Sequence, residues 1–163
     1  MEEITFYAET QKPCIDSKDG KEKPDKIDIY INKLGLLDEW QEHEEHIYIA
    51  IECKRIVDAR SYSEYLTGIQ KMTERSYTNL RLPFEGMIGF IEDYEITHTL
   101  ASKEISKKLE NSKIINTKQY LVSTVLNADF NASYTSIHTK NFGEKSDFTL
   151  YHLFFDYSAN VID

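Results

Sequence analysis

The sequence lacks most of the features that define several large classes of protein. Its two cysteines, Cys14 and Cys53, have no CxxC spacing, so we expect no disulfide framework and a reducing compartment. No apolar run approaches the roughly 18 residues that a membrane-spanning helix needs. The first residues, Met1 to Ile4, are acidic and lack an apolar signal core, so we expect a cytoplasmic protein. We also find no Gly-rich phosphate loop of the kind a ligand-binding sensor could carry.

The composition indicates one globular domain spanning residues 1–163. Hydrophobic residues make up 40% of the chain and aromatic residues 12%, which is enough to bury a core. The formal net charge is −9, which argues against strong non-specific binding of DNA by this chain alone. A small basic face could still bind DNA, because binding depends on the local electrostatic field.

Hydrophobic periodicity predicts an α/β or α+β domain with a mixed sheet. Strands are predicted at Ile4–Glu9, Ile27–Ile31, Ile47–Ile51, Gly86–Ile91, Tyr120–Val125, Tyr134–Thr139 and Phe148–Phe155. Helices are predicted at Ser61–Thr78 and Ala101–Asn111. The last two strands should form a C-terminal β-hairpin. The polar run Lys12–Lys26 is predicted to be a hairpin loop, and Asn32–His46 a loop or short helical insert.

Two charged residues stand at the end of one apolar strand. Glu52 and Lys54 follow the run Ile47–Ile51, and residues two apart on a strand lie on the same face. Asp28 interrupts the preceding strand between two isoleucines. Acidic residues inside β-rich runs oppose strand propensity, and such local violations are expected at functional sites.

Two carboxylates and an ammonium group suit the hydrolysis of a phosphodiester. The reaction needs a divalent cation on a non-bridging oxygen, an activated water and neutralisation of developing charge. Carboxylate oxygens suit Mg²⁺ or Mn²⁺. A nearby lysine can orient or deprotonate the attacking water.

The segment Pro24–Asp28, followed by Glu52-Cys53-Lys54 on the next strand, resembles the motif of the PD-(D/E)xK nuclease superfamily. The resemblance implies a restriction-endonuclease-like fold, a mixed sheet flanked by helices. Its core would be residues 4–91, with a C-terminal helix and strands over 101–157. It also implies that Asp28 and Glu52 bind Mg²⁺ or Mn²⁺ and that Lys54 is the catalytic lysine. We prefer Asp28 to the literal motif residue Asp25, because Asp28 lies inside the predicted strand.

The resemblance also suggests supporting residues and a function. Glu9 would substitute for a glutamate that the family often takes from a preceding helix, and Gln70 would support the site from the following helix. The implied function is Mg²⁺-dependent endonuclease cleavage of DNA, in bacterial defence or mobile-element biology. The alternative is a catalytically degenerate nuclease-like subunit that scaffolds a larger complex. Other protein subunits and a homodimer are candidate partners.

Several other residues allow both a functional and an ordinary structural interpretation. Candidate DNA contacts are Arg55, Arg60, His138 and Lys140. The first two could equally belong to a solvated turn. The last two lie with Ser136 on one predicted strand face, which could hold phosphates or be an ordinary exposed face.

Further motifs are expected to be structural. Cys53 is interpreted as a small core residue rather than a catalytic thiol. His43 and His46 could bind a metal, but a solvated helix is the preferred interpretation. The aromatic run Tyr151–Tyr157 is expected to lie in the core or at an oligomer surface.

Overall fold

A seven-stranded mixed sheet organises the part of the chain that the structure describes. The structure is a computed structural model and describes residues 4–15, 20–33, 48–75, 84–141 and 145–160. The strands are β1 (Ile4–Ile15), β2 (Glu22–Lys33), β3 (Tyr48–Ile56), β4 (Phe84–Ile91), β5 (Thr117–Ser123), β6 (Ser133–Thr139) and β7 (Asp147–Asp156). The helices are α1 (Ser61–Glu74) and α2 (His98–Glu110), followed at the end by a 3₁₀ turn (Ser158–Asn160).

The sheet order is β1-β2-β3-β4-β7-β6-β5. The pairs β3–β4 and β4–β7 are parallel, and the other neighbours are antiparallel. Helix α1 is the crossover between β3 and β4, as parallel neighbours require. The prediction of an α+β domain with a mixed sheet is therefore confirmed, and so is the antiparallel pairing of the last two strands.

Strands β1 and β2 form a longer hairpin than the sequence suggested. Their pairing continues outward to Ile15 opposite Glu22, and Pro13 is paired with Pro24 inside the ladder. The predicted hairpin is therefore confirmed, but its loop is shorter than the predicted Lys12–Lys26, because β1 runs to Ile15 and β2 begins at Glu22. A two-stranded arm that no third strand joins can be polar throughout, so hydrophobic periodicity does not detect it.

Helix α1 begins at the predicted residue and ends earlier than predicted. At its start, the Asp58 carboxylate accepts hydrogen bonds from the backbone N–H groups of Arg60 and Ser61. At its end, Arg75 has extended backbone angles (φ −76°, ψ 125°), so the helix stops at Glu74 instead of Thr78. Most of the predicted insert Asn32–His46 lies outside the described residues, and its first two residues belong to β2.

Both described helices pack on one face of the sheet and bury the core there. Helix α2 is capped by Thr97, whose hydroxyl accepts a hydrogen bond from the Leu100 N–H at 3.1 Å. The core joins the helix residues Tyr65, Ile69, Met72, Ala101, Ile105 and Leu109 to the sheet residues Ile56, Met87, Ile91, Phe148, Leu150 and Phe154. Neither described helix is long and apolar enough to cross a membrane.

Candidate functional site

Strands β2 and β3 separate at the predicted site. Their ladder ends at the pair Ile29–Ile51, so Asp28 on β2 and Glu52 on β3 are the first residues beyond it. The Asp28 carboxylate accepts a hydrogen bond from the backbone N–H of Cys53 at 2.8 Å. It thus supplies an acceptor for the first β3 amide beyond the ladder, which would otherwise lose its partner.

Glu52 is buried at this point, beneath helix α1. Only 4% of the residue is exposed, and the Lys54 ammonium donates a hydrogen bond to its Oε1 at 2.7 Å. A buried carboxylate is costly unless it is paired and hydrogen-bonded, and Lys54 meets both needs. The expectation that Glu52 and Lys54 share one face is met.

Gly68 lets helix α1 approach these side chains closely. A Cβ atom at this position would lie 2.9 Å from Met87 Cε, 3.3 Å from Lys54 Cε and 3.5 Å from Glu52 Cγ. Met87 is the β4 residue in register with Glu52. Helix α1 therefore covers Glu52 on the sheet face, and Met87 packs beside it on the neighbouring strand. The packing around Gly68 therefore restricts the positions that the Lys54 and Glu52 side chains can adopt.

Two further cations surround Glu52, both from the C-terminal end of α1. Lys71 Nζ lies 3.8 Å from Glu52 Oε1, and an Arg75 guanidinium nitrogen lies 3.5 Å from Oε2. Burial raises the pKa of Glu52, but the hydrogen bond from Lys54 and the charges of Arg75, Lys54 and Lys71 together outweigh it, so the pKa lies below its ordinary value. Glu52 is therefore a carboxylate anion at neutral pH.

The donor set at this site fits a magnesium ion that keeps other ligands. Within the described ranges, no three His, Cys, Asp or Glu side chains are grouped as a protein cage for a metal would require. Mg²⁺ usually binds through only one or two carboxylates and completes its shell with water and substrate phosphate. Asp28 and Glu52 would supply those two carboxylates. Lys54 occupies Glu52 Oε1 here, so that side chain would have to share or yield the oxygen.

The two predicted supporting residues hold other partners. Glu9 interrupts the β1–β2 register between the pairs Ala8–Ile29 and Thr10–Ile27 and has a left-handed backbone (φ 51°), but its exposed carboxylate binds the Lys26 ammonium at 3.0 Å. The Gln70 side-chain amide donates to Glu74 at 2.7 Å on the same helix. Neither residue is hydrogen-bonded to Asp28, Glu52 or Lys54 in the described part of the chain, and Gln70 lines a cavity between α1 and α2.

The predicted DNA contacts divide into two exposed and two buried residues. Arg55 pairs with Glu92 and Arg60 with Asp58, and both arginines are exposed at the surface. His138 has 0% exposure, so it cannot reach a phosphate at the surface, and that prediction is wrong. Its strand face is covered by the helices, a fact that alternation along one strand does not reveal.

Lys140 also lies mostly inside the protein. Its ammonium donates to Glu85 Oε1 at 2.7 Å and to the Met72 carbonyl at 2.6 Å, and it stands 4.1 Å from the centre of the Phe148 ring. Its side chain is 13% exposed, so a role as a surface phosphate contact is also wrong. Lys140 neutralises the buried carboxylate of Glu85.

A chain of buried hydrogen bonds crosses the core, and sequence analysis missed it. The links are Tyr65 Oη to His152 Nδ1 (3.0 Å), His152 Nε2 to Ser136 Oγ (2.7 Å), Ser136 Oγ to His138 Nε2 (2.7 Å), and His138 Nδ1 to Thr117 Oγ1 (3.1 Å). The alternation of Ser136 and His138 was visible in the sequence. Its pairing with a histidine from β7 and a tyrosine from α1 was not.

The other residues singled out in the sequence are Cys53, the pair His43 and His46, and the aromatic run Tyr151–Tyr157. Burial, with the nearby charges of Asp28 and Glu52, raises the pKa of the Cys53 thiol to about 11, which disfavours a reactive thiolate. His43 and His46 lie outside the described residues. In the aromatic C-terminal run, His152 and Phe154 are buried, whereas Phe155 and Tyr157 are exposed.

Comparisons of this chain with protein-family models, curated proteins and solved structures found no match. What the protein does is therefore inferred from its own residues.

Proposed function

We propose that the chain has a restriction-endonuclease-like fold and hydrolyses phosphodiester bonds of DNA with Mg²⁺ or Mn²⁺. The observation that carries this proposal is the pairing of Lys54 with the buried Glu52 at 2.7 Å, next to Cys53, whose N–H is bound by Asp28 of the neighbouring strand. The strand order β1-β2-β3, followed by a helical crossover to parallel β4, also agrees with the proposal.

Each of the three side chains has a defined task in this proposal. Asp28 and Glu52 would hold the metal ion, which supplies Lewis-acid polarisation of the phosphate when bound. Asp28 is kept in place by its hydrogen bond with the Cys53 N–H. Lys54 donates a hydrogen bond to Glu52, and its side chain is 22% exposed, so its ammonium can also contact a group that arrives from solvent. There its ammonium would orient the attacking water or neutralise charge on the phosphate.

A non-catalytic scaffold is the second candidate, and one observation favours it. Glu52 lies within 4 Å of cationic groups from Lys54, Lys71 and Arg75, as a purely structural ion cluster would also be arranged. The net charge of −9 is consistent with a protein that does not bind nucleic acid strongly. The two functions differ in whether the cluster acts on a substrate.

A cleavage assay with matched variants separates the two functions. Plasmid and single-stranded DNA are incubated with the protein and Mg²⁺ or Mn²⁺, beside Glu52→Gln, Lys54→Met and Asp28→Asn. Each variant keeps the side-chain shape, and Asn at position 28 still offers an oxygen to the Cys53 N–H. Glu110→Gln, at an exposed carboxylate on α2, is the control. We expect each site variant to lose about 100-fold or more in rate.

The outcomes point in different directions. Cleavage that persists in both Glu52→Gln and Lys54→Met would show that the activity comes from elsewhere or from a contaminant. No cleavage by the wild-type protein with either metal would favour the scaffold.

A further inference from the structure

Lys71 occupies a position that the neutralisation of Glu52 does not explain. Its ammonium lies 3.8 Å from Glu52 Oε1, beyond hydrogen-bonding distance, and its side chain is 53% exposed. The same oxygen already accepts a hydrogen bond from Lys54 at 2.7 Å. A half-exposed pair at that separation is screened by solvent and contributes little to stability.

Lys71 is the most distant of the three cations beside Glu52. Among the described residues, three cationic side chains lie within 4 Å of this carboxylate, and Asp28 is a second carboxylate on the neighbouring strand. Lys54 at 2.7 Å and Arg75 at 3.5 Å lie closer to Glu52 than Lys71 at 3.8 Å, so Lys71 is the cation that can pair with an incoming anion.

Among the three cations, Lys71 is the one best placed to reach solvent. Arg75 is only 7% exposed, and Lys54 is 22% exposed and hydrogen-bonded to Glu52. Lys71 lies in the last turn of α1 and carries its ammonium on a flexible four-carbon chain. Its ammonium can therefore turn from Glu52 to a phosphate that approaches the site, while Lys54 continues to neutralise the carboxylate.

We propose that Lys71 is a phosphate-binding residue and that its ligand is the backbone phosphate of a nucleic-acid strand lying across Asp28, Glu52 and Lys54. The inference rests on the proposed hydrolase function, whose site it shares.

The test measures binding without cleavage. Fluorescently labelled single- and double-stranded DNA oligonucleotides are titrated with the protein in EDTA, over a series of salt concentrations, and the anisotropy is recorded. The variants are Lys71→Ala, Lys71→Arg and the control Lys103→Ala, which removes an exposed lysine from α2. Because Lys71 is half-exposed and makes only a weak pair, Lys71→Ala should fold normally, as a thermal melt would check.

We expect Lys71→Ala to weaken binding about 5- to 10-fold and to lower the slope of log K against log salt concentration by about 1. Lys71→Arg should restore most of the affinity, and Lys103→Ala should stay within twofold of the wild-type protein. Equal affinities for Lys71→Ala and Lys103→Ala would overturn the inference, and so would a wild-type protein that binds neither oligonucleotide.

The failure of this inference is distinguishable from the failure of the proposed function. If DNA binds with the expected dependence on Lys71 but is never cleaved, the phosphate-binding role of Lys71 is supported and the proposed nuclease activity is rejected. If cleavage depends on Glu52 but Lys71→Ala changes neither the affinity nor KM, the nuclease activity is supported and the proposed role of Lys71 is rejected.

Discussion

The buried histidines His138 and His152 should make the stability of this protein strongly dependent on pH. Both have 0% exposure and lie in the hydrogen-bonded chain through Ser136. Burial, with a smaller contribution from Lys140, lowers the pKa of His138 to about 4. Burial, with a smaller contribution from His138, lowers that of His152 to about 3. Both imidazoles are therefore neutral in the folded protein at pH 5.

Neutral imidazoles also satisfy the hydrogen bonds of the chain. Each ring has one donor and one acceptor nitrogen in this form. In one direction, Tyr65 donates to His152, which donates to Ser136, which donates to His138, which donates to Thr117. A proton added to either ring would convert its acceptor nitrogen into a donor, so the hydroxyl that donates to it would have to accept instead and its own proton would lose its acceptor.

The sign and size of the effect follow from proton linkage. In the unfolded chain both histidines titrate near 6.5, so between pH 6.5 and 4 the unfolded state binds more protons than the folded state. Stability is therefore present in full above pH 6.5 and is lost as the pH falls. Between pH 7 and pH 5 each histidine should cost about 2 kcal/mol, or about 4 kcal/mol together. That is a large part of a typical folding free energy of roughly 5–15 kcal/mol.

Urea unfolding at several pH values between 5 and 7 would measure this dependence. The unfolding free energy is plotted against pH. His152→Gln should lower the steepest slope of this plot by about 1.4 kcal/mol per pH unit. Ser136→Ala is the control: it breaks two hydrogen bonds and lowers stability, but it keeps both titrating groups and therefore the slope. A wild-type protein equally stable at pH 5 and pH 7 would refute the reasoning.

Two more predictions concern packing and charge inside the protein. Gly68→Ala would normally stabilise a helix by up to about 1 kcal/mol, but its Cβ would stand 2.9 Å from Met87 Cε and 3.3 Å from Lys54 Cε. We expect no gain in thermal stability and a several-fold loss of any cleavage activity, and a variant with increased stability and full activity would contradict this account. Lys140→Met would leave the Glu85 carboxylate buried beside an apolar group, at a cost of about 3–5 kcal/mol in urea unfolding. The double variant with Glu85→Met should recover much of that loss, and strict additivity would disprove the pairing.

Local patterns in the sequence predicted most elements of the fold. Seven strands and both described helices were expected, since alternation over a few residues is visible in the sequence. The predicted boundaries are wrong where the sequence carries no such pattern. Strands β1 and β2 extend through polar residues and two prolines, and α1 ends before its apolar pattern does. Strand β5 begins at Thr117 and ends at Ser123, upstream of the predicted Tyr120–Val125, and its pairing with β6 contains two register shifts.

The centre of the site was predictable for the same reason. Glu52 and Lys54 share a face because strand side chains alternate, a property of the backbone alone. Asp28 was selected because an acidic residue between two isoleucines opposes strand propensity. The cations Lys71 and Arg75 were not predicted, because their positions beside Glu52 depend on how α1 crosses the sheet.

The sequence by itself determined that Glu52 and Lys54 point the same way and that Asp28 belongs to the preceding strand. Only the tertiary structure decided which sheet face the helices cover. That choice buried His138 and Lys140, which had the pattern of an exposed strand, and it surrounded Glu52 with three cations. Alternation along a strand separates two faces without saying which is buried, because burial depends on contacts between residues far apart in the chain.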